Sequence, residues 1–307
     1  MFNKIVLAGG TGYLGTVLAD YYKDKAKEIV ILSRQKTMRN GNVTTVVWDA
    51  ENRGDWENCL QGAEMLINLC GKNVNCRYTA KNKAAIFRSR LVPTALLGSV
   101  INEMTDPPKL WINVASATIY RHAEDRLQDE ETGEVGAGFS VEVCKAWEAG
   151  FWQTNTPKTR KVVLRVGLVL GSSDGVFPRL KRLAALGLGG YQGTGEQRIS
   201  WLHEQDFAQI TEWVYQHGIN NAVYNCTAPE APTNREFMKT IRQAYGVPVG
   251  LPCPQWLLEF GAKLIGTETE LVLKSRWVYP DRLLAEGFTF QYPKAEQAIH
   301  AVLSTRT

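Results

Sequence analysis

The chain has 307 residues, of which 44% are hydrophobic, and its 35 Lys and Arg against 31 Asp and Glu give a net charge of +4. This length and apolar content allow one large domain, or one domain with a smaller appendage. The small, dispersed charge gives no indication of a nucleic-acid or membrane partner, and the six scattered cysteines and four histidines show no metal-ligand spacing.

The first fifteen residues predict a nucleotide-binding turn between a strand and a helix. Residues 5–8 form a continuous apolar run, which is typical of a parallel strand covered on both faces. Three glycines follow at three-residue spacing, and an apolar stripe then predicts a helix. Because glycine has no Cβ, the backbone can turn tightly and a pyrophosphate can approach it closely. The N–H groups at the start of the helix then stabilise the charge of the pyrophosphate. We expect a cofactor to be bound by Gly9, Thr11, Gly12, Tyr13, Leu14 and Gly15.

The GxxGxxG spacing of this turn resembles the short-chain dehydrogenase/reductase superfamily, especially its extended, epimerase-like members. In such folds the residues after the second strand, predicted here at 28–32, contact the adenosine ribose. An acidic residue at this place would accept a hydrogen bond from the 2′-hydroxyl of NAD. Here Ser33 offers a hydroxyl and Arg34 a fork-shaped cation instead of an acid, and both suit the 2′-phosphate of NADP(H). The alternative is that Arg34 is only a solvated arginine at a strand end, but the absence of Asp or Glu favours NADP(H). Asp49 follows a third strand, 43–48, where relatives contact the adenine amino group, although a loop-capping aspartate explains it equally well.

A fourth strand, 63–69, ends in NLCG and resembles the cofactor-lining segment of the same family, so Leu69, Cys70 and Gly71 are expected to contact the cofactor. Thr79 is the expected N-cap of a long helix from about 80 to 104. A fifth strand, 110–115, then leads into the second informative stretch.

That stretch, SATIY, resembles the S-A-T-V-Y element of sugar-nucleotide epimerases, whose serine orients and polarises the reacting carbonyl or alcohol. We expect Ser116 and Tyr120 to be catalytic and Thr118 to line the substrate pocket; the alternative for Tyr120 is a packed tyrosine that only shapes the pocket, with its hydroxyl satisfied. Relatives place YxxxK on the next helix, the lysine lowering the pKa of the tyrosine. The corresponding helix here has the sequence FSVEVCKAWEAGFW. If Glu148 is aligned with the family's glutamate, Ser140 takes the position of the tyrosine and Cys144 that of the lysine. A shift by one gives Val141 and Lys145, so neither alignment restores the tyrosine.

The motif CKAWE, with Arg77-Tyr78-Thr79 and Ser89-Arg90, resembles an atypical epimerase-like branch that carries a C-terminal segment of unknown function. A sixth strand, 164–171, should cover the nicotinamide with Gly167 and Leu168. The stretches 187–206 and 277–299 agree with the same branch. The stretch 187–206 suggests a pocket role for Trp201, a pocket or core role for His203 and a helix-capping role for Asp206. Cys144, on the helix before it, is either a pocket thiol near the nicotinamide or an inert packing residue.

We therefore expect an α/β fold, a Rossmann-type doubly wound parallel sheet with a smaller C-terminal substrate-side subdomain. The NADP-binding domain should span 1–170 and recruit part of 221–228, a further strand; the C-terminal region should span 171–307, with a helix capped by Thr233. The long helices 80–104 and 138–154 suggest a homodimer by family analogy. A first strand so near the start leaves no room for a signal peptide, which predicts a cytoplasmic protein, or an organellar one if a presequence has been removed.

Two functions remain open at this point. One is an NADP(H)-dependent oxidoreductase or epimerase-like enzyme that acts on a small-molecule substrate, a carbonyl, alcohol or nucleotide sugar, with a modified proton relay. The other is an NADPH-binding sensor without turnover, which the missing tyrosine would explain. An open polar cleft around the nicotinamide favours the enzyme, and a sealed apolar one favours the sensor.

Overall fold

A computed structural model describes residues 1–265 and 268–304 of the chain. Its main feature is an eight-stranded sheet in the order β10-β7-β6-β5-β1-β2-β4-β3, parallel throughout except for the edge pair β3 and β4. A second, two-stranded sheet pairs β8 with β9 in parallel. The strands are β1 Phe2–Ala8, β2 Ala26–Ser33, β3 Met38–Asn40, β4 Val43–Val47, β5 Met65–Asn68, β6 Leu110–Ser116, β7 Arg160–Val166, β8 Leu168–Leu170, β9 Trp201–His203 and β10 Ala222–Cys226.

Helices connect the strands, as expected for a doubly wound fold. Within the described residues they are α1 Tyr13–Tyr22, α2 Ala80–Glu103, α3 Phe139–Gln153, α4 Phe177–Ala185, α5 Glu204–His217, α6 Asn234–Ala244, α7 Gln255–Ile265, α8 Glu270–Leu273, α9 Asp281–Ala285 and α10 Ala295–Ser304. Short 3₁₀ turns occupy Asp55–Cys59 and Ala117–Ile119. The predicted caps are confirmed, because Thr79 accepts the N–H of Asn82 and Thr233 accepts that of Glu236.

Both faces of the sheet are covered, which explains the unbroken apolar run in β1. Ile5 and Leu7 point into a core shared with α1 and α5, whereas Val6 and Ala8 point into a second core shared with α2 and α3. All four side chains are fully buried. A parallel strand between two helical layers needs apolar side chains at every position, so the alternation typical of a half-exposed strand is absent.

The long helix α2 belongs to the second of these cores. By length and composition alone it could cross a membrane, but Ile86, Leu97 and Ile101 are buried, and α2 packs against α3. Pro93 lies inside α2, where its ring removes one backbone hydrogen bond, and the next residue, Thr94, turns its hydroxyl back to the carbonyl of Arg90. Its apolar composition is that of a core helix in this fold.

The prediction of one continuous sixth strand over 164–171 is wrong. The chain leaves the main sheet at Gly167, and β8 beyond it pairs with β9 instead of β10. Glycine is required there, since a Cβ on Gly167 would lie 2.7 Å from the carbonyl oxygen of Ser200. The short antiparallel strand β3 was not expected either. By contrast, β10 joins the edge of the main sheet as predicted, while the domain boundary at residue 170 stays a prediction.

Candidate functional site

The strand order places a binding crevice at the carboxyl end of β1. From β1 the sheet grows to one side through β2, β4 and β3, and to the other through β5, β6, β7 and β10. Ligands of open α/β sheets bind where the order reverses in this way. The register aligns Ala8 with Leu32 and Asn68, and Asn68 with Asn113. The segments that follow these strands therefore meet at one edge, and they are the segments singled out from the sequence.

The glycine turn after β1 fits a phosphate group. Gly9 has a φ of +72°, and a Cβ on Gly15 would lie 2.1 Å from the carbonyl oxygen of Gly10, so both positions need glycine. At Gly12 a Cβ would meet nothing within 4 Å. No side chain caps α1, which leaves its first N–H groups and its positive end facing this open space. Backbone donors around an uncapped helix start are what a pyrophosphate requires.

The end of β2 lies beside the same turn. The Ser33 hydroxyl donates to Thr11 Oγ1 at 3.3 Å and accepts the N–H of Gln35 at 3.2 Å. Arg34 is exposed, and within the described part of the chain no carboxylate pairs with it. Asp49 accepts the N–H groups of Glu51 and Asn52, so it does cap its loop; the Asn52 amide and these bonds lower its pKa to about 2. A contact from Asp49 to adenine stays a prediction.

The NLCG segment after β5 faces a cation from α2. A Cβ on Gly71 would lie 3.1 Å from the Arg90 guanidinium, which packs over the Trp147 ring and donates to the carbonyls of Lys72 and Ile86. Its Nε and Nη2 have no protein partner in the part of the chain that is described. Burial raises the pKa of the Cys70 thiol to about 12, so Cys70 acts as a neutral lining residue. Arg90 is thus a further candidate for cofactor contact.

Tyr13 and Gly167 bracket the crevice on the side of α5. The Tyr13 hydroxyl donates to Glu204 Oε2 at 2.6 Å, and burial together with this carboxylate raises the pKa of Tyr13. Gly167 and Leu168 donate their N–H groups to Cys226 and Ser200, so they lie at the carboxyl end of β7. Both positions adjoin the crevice, as the sequence predicts, and contact with the nicotinamide itself stays a prediction.

Tyr120 does not have the geometry of a catalytic phenol, which corrects the prediction. Its side chain is 2% exposed, and its hydroxyl accepts from Arg165 Nη1 at 2.7 Å and donates to Asn225 Oδ1 at 3.0 Å. Arg165 in turn forms a two-pronged ion pair with Glu148 at 2.9 and 3.0 Å. Burial raises the pKa of Tyr120 even though Arg165 opposes the shift. Both hydrogen bonds of the Tyr120 hydroxyl are made to protein groups. Through Arg165 of β7, Asn225 of β10 and Glu148 of α3, they link the end of β6 to these three elements.

A different phenol occupies the place left by the missing tyrosine. The Tyr78 hydroxyl lies 3.3 Å from Ser140 Oγ, and Ser140 donates to Glu270 Oε2 at 3.0 Å. Ser140 is the residue that one alignment places at the family tyrosine position. Burial raises the pKa of Tyr78, which keeps this half-buried phenol protonated at neutral pH. The three side chains come from the segment before α2, from α3 and from α8, so only the tertiary structure joins them.

Thr118, in the SATIY turn, borders the same place. Its N–H donates to Ser116 Oγ at 3.2 Å, which leaves the Ser116 proton available for another acceptor. Lys274 donates to the Thr118 carbonyl at 2.9 Å. Next to these residues is an open groove of about 500 Å³ lined by Arg121, His122, Ala137, Gly138, Glu270, Leu273 and Lys274. Through Lys274 the SATIY turn adjoins this open groove, whose exposed lining is more apolar than polar and does not include Ser116 or Thr118, so a substrate-side role for these two residues stays a prediction.

Cys144 lies on α3 next to these groups but is unsuited to nucleophilic chemistry. It is 5% exposed, and burial raises the pKa of its thiol to about 11, with Glu148 adding to the shift. The thiolate is the reactive form of cysteine, and this environment disfavours it. Cys144 is an apolar packing residue among Ala117, Ile119 and Val278.

Trp201 does not line the pocket, contrary to expectation, and His203 takes the core position that the sequence left open as the alternative to a pocket role. Trp201 is fully buried in the core of the C-terminal region with Leu170 and Phe177. His203 is 3% exposed, stacks on Tyr292 with ring centroids 4.0 Å apart, and caps α5 by accepting the N–H of Gln205. Burial lowers the pKa of His203 to about 4, so it is neutral at neutral pH.

Asp206 is not the helix cap either, since His203 takes that role. Asp206 lies in the first turn of α5, fully buried, and accepts the N–H groups of Gln291 and Tyr292. Burial raises its pKa to about 6 in spite of these two bonds. Its role is to fasten the C-terminal segment to α5.

Sequence reasoning missed Glu270, Lys274 and Arg276, and it gave Tyr78 and Arg90 no role. Tyr78 and Arg90 stood in short motifs that marked the family branch, which was a usable signal. The other three lie in a stretch without a recognisable pattern. They reach the site because the segment after α8 crosses the SATIY turn, where Ser275 Oγ donates to the Ala123 carbonyl at 2.6 Å.

A doubly wound sheet with an uncapped glycine turn at its switch point defines the fold of an extended short-chain dehydrogenase/reductase. The chain belongs to the NAD dependent epimerase/dehydratase family, whose sequence model matches residues 5–227. A second model, Domain of unknown function (DUF1731), matches residues 253–302. The missed residues Glu270, Lys274 and Arg276 all fall within this second match.

Known relatives agree with this assignment over nearly the whole chain. The epimerase family protein SDR39U1 of Mus musculus is 29% identical, over 98% of this chain and 100% of its own length. Epimerase family protein YfhF of Bacillus subtilis is also 29% identical, with 99% of both chains covered. A crystal structure of human SDR39U1 with NADPH superposes with a TM-score of 0.86 at 27% identity, over 98% of this chain and 99% of that one. The enzyme WbmG of Bordetella bronchiseptica, in complex with NAD, shares the fold at a TM-score of 0.78 and 15% identity, over 100% and 95% of the two chains.

Proposed function

We propose that this protein is an NADP(H)-dependent oxidoreductase or epimerase-like enzyme for a small carbonyl or alcohol substrate, with a proton relay that replaces YxxxK. The observation that carries the proposal is the chain of hydrogen bonds from Tyr78 through Ser140 to Glu270. Glu270 lines an open groove together with Lys274, which donates to the Thr118 carbonyl in the SATIY turn. An NADPH-binding sensor would need neither a relay nor an open charged groove.

The preference for NADP(H) rests on the end of β2. Arg34 is exposed beside the glycine turn, without a carboxylate partner in the described residues, and Ser33 presents its hydroxyl toward Thr11. A free guanidinium suits a phosphate group, whereas the diol of NAD is normally read by an acidic side chain. The NADPH in the crystal structure of human SDR39U1 supports the same choice.

The chemistry expected of the chain is the handling of one proton. The bound nicotinamide supplies or accepts hydride. Ser116 accepts from Thr118, so its own hydroxyl proton can point at a substrate oxygen and polarise it. In the direction of reduction, the Ser140 proton turns from its bond with Glu270 to that oxygen, Tyr78 gives its own proton to Ser140, and solvent then restores the phenol. Arg90 and Arg276 lie within electrostatic reach of Tyr78 and stabilise the transient phenolate.

The test is NADPH oxidation by the purified protein over a panel of carbonyl compounds and nucleotide sugars. Ser140→Ala should lower kcat by about 10²–10⁴-fold, the usual contribution of a positioned proton-transfer group, without weakening NADPH binding. Ser99→Ala is the matched control, because Ser99 is an exposed serine of α2 whose hydroxyl donates to the Leu96 carbonyl of its own helix. Unchanged turnover in Ser140→Ala would remove the relay. NADPH binding without turnover of any substrate would favour the sensor.

A further inference from the structure

The guanidinium of Arg90 is held in one place between α3 and the segment after β5. It packs over the Trp147 ring, 5.1 Å from the ring centroid. A Cβ on Gly71 would lie 3.1 Å from the guanidinium carbon, so glycine at this position leaves room for the cation. Nη1 donates to the carbonyls of Lys72 at 3.2 Å and Ile86 at 3.1 Å. These contacts fix the direction of the side chain without using its other donors.

The edge of this guanidinium formed by Nε and Nη2 has no protein partner in the part of the chain that the structure describes. Arg165 uses the same edge for its two-pronged pair with Glu148. Arg90 has no such carboxylate among the described residues, and the ionisable groups within its electrostatic reach are the Cys144 thiol and the Tyr78 phenol. Partly buried N–H groups without acceptors cost free energy, so this edge is suited to a ligand that offers two neighbouring oxygens.

The place of Arg90 along the sheet indicates which part of the cofactor it meets. The neighbouring strands β2, β1 and β5 are followed by Arg34, by the glycine turn and by Gly71. NADPH carries its 2′-phosphate, its pyrophosphate and its second ribose in the same order. With Arg34 assigned to the 2′-phosphate and the glycine turn to the pyrophosphate, the segment after β5 is left for the ribose of the nicotinamide half. The glycine turn and this segment are in contact, since a Cβ on Gly9 would lie 2.9 Å from the Cys70 sulfur.

We propose, on the basis of the function proposed above, that Arg90 binds the two hydroxyls of the nicotinamide ribose through Nε and Nη2. These hydroxyls offer two neighbouring oxygens to the fork and, unlike a phosphate or a carboxylate, do not neutralise its charge. The charge of Arg90 therefore remains available to the Tyr78 phenol, whose ionised form it stabilises. One alignment places the family lysine at position 144, where Cys144 is a buried, neutral thiol. Arg90 of α2 supplies the positive charge that α3 lacks at this position.

The experiment titrates three ligands calorimetrically that differ by one group at a time. They are NADPH, 2′-phosphoadenosine 5′-diphosphoribose, which lacks the nicotinamide ring, and 2′-phosphoadenosine 5′-diphosphate, which also lacks the second ribose. Arg90→Met should weaken binding of the first two by about tenfold to a hundredfold, the contribution of one hydrogen bond to a charged group, and leave the third unchanged. Arg90→Lys keeps the charge but loses the fork, so it should show most of the same loss. Arg235→Met removes an exposed arginine of α6 and should change nothing.

Unchanged affinity for the diphosphate also shows that the cofactor turn of each variant is folded, and Arg90→Lys gives the same comparison where Arg90→Met does not fold. An equal loss with the diphosphate would assign Arg90 to the pyrophosphate or to mere support of the segment after β5. A loss confined to NADPH would assign it to the nicotinamide ring, and no loss with any ligand would leave its free edge to water. Each of these three results would overturn the ribose contact.

Turnover separates this contact from the proposed enzyme. At saturating NADPH, Arg90→Met should lower kcat by about tenfold, because the phenolate of Tyr78 loses a counter-charge, and unchanged kcat would refute this effect. Arg90→Lys should keep kcat near that of the wild type and raise the KM for NADPH. Ribose-dependent binding in a protein that turns over no substrate would support the contact while refuting the proposed enzyme. Turnover by the wild type, with all three ligands bound equally well by Arg90→Met, would do the reverse.

Discussion

Tyr120→Phe separates a structural tyrosine from a catalytic one. The substitution removes one oxygen and keeps the ring, so it opens no cavity for a side chain. What it removes are two buried hydrogen bonds, from Arg165 Nη1 at 2.7 Å and to Asn225 Oδ1 at 3.0 Å. Arg165 keeps its ion pair with Glu148, and the Asn225 amide keeps its bond to the Tyr279 carbonyl at 2.9 Å. The loss is therefore confined to one donor and one acceptor.

The magnitude follows from these two orphaned groups. Each buried polar group left without a partner costs about 1–3 kcal/mol, and the charged guanidinium belongs at the upper end, so Tyr120→Phe should destabilise the protein by about 2–5 kcal/mol. For a chain of this size that lowers Tm by roughly 4–10 °C. Because the hydroxyl is saturated inside the protein, kcat at 25 °C should stay within about threefold of wild type.

Tyr78→Phe is the matched comparison. Among the described residues the half-buried Tyr78 hydroxyl bonds to Ser140 alone, so its loss should change Tm by no more than roughly 2 °C while kcat falls about 10²–10⁴-fold. Thermal unfolding and NADPH oxidation are measured on the same preparations. The opposite pattern, an unchanged Tm with lost turnover in Tyr120→Phe, would refute the assignment of Tyr120 to structure and Tyr78 to chemistry.

Three further predictions concern Arg34 and Gly12 at the cofactor turn and the buried His203 at the start of α5. Arg34→Ala should weaken NADPH binding by about tenfold to a hundredfold and leave NADH binding unchanged, and equal wild-type affinities for the two cofactors would contradict the 2′-phosphate assignment. Gly12→Val should abolish binding of both but keep the circular dichroism spectrum, because a side chain there meets open space; undiminished binding would move the phosphate site elsewhere. The folded-state pKa of His203 is lowered by burial to about 4, below its unfolded value of 6.5, so its stabilising contribution is present above pH 6.5 and is lost toward pH 4. Denaturation across this range should therefore show wild type losing stability relative to His203→Asn as the pH falls, and parallel curves would exclude a neutral buried His203.

The local patterns in the sequence predicted the sheet, the glycine turn and most of the cofactor edge. These features depend on residues that are close together in the chain. An apolar run is a buried strand, and a glycine at Gly9 or Gly15 serves a turn only a few residues long. The carboxyl-edge rule for parallel sheets then brings Ser33, Gly71 and Ser116 together without further information.

The roles of individual polar side chains were decided by the tertiary structure. The same short motif contains Ser116, whose hydroxyl accepts the N–H of Thr118 two positions on, and Tyr120, whose hydroxyl is bonded to Arg165 and Asn225 from two other strands. The spacing within SATIY cannot distinguish these environments, because the partners lie 45 and 105 positions away in the chain.

The sequence by itself thus determined that the chain folds around a dinucleotide turn, since backbone conformation and strand burial follow from local composition. Only the tertiary structure decided which groups face the substrate. Tyr78, Ser140 and Glu270 come from three distant segments, and their hydrogen bonds span 62 and 130 positions. Lys274 and Arg276 reach Thr118 across 156 and 158 positions. Hydrogen bonds and charge interactions depend on distance in space, and for these groups that distance is set by how the C-terminal segment crosses the edge of the sheet.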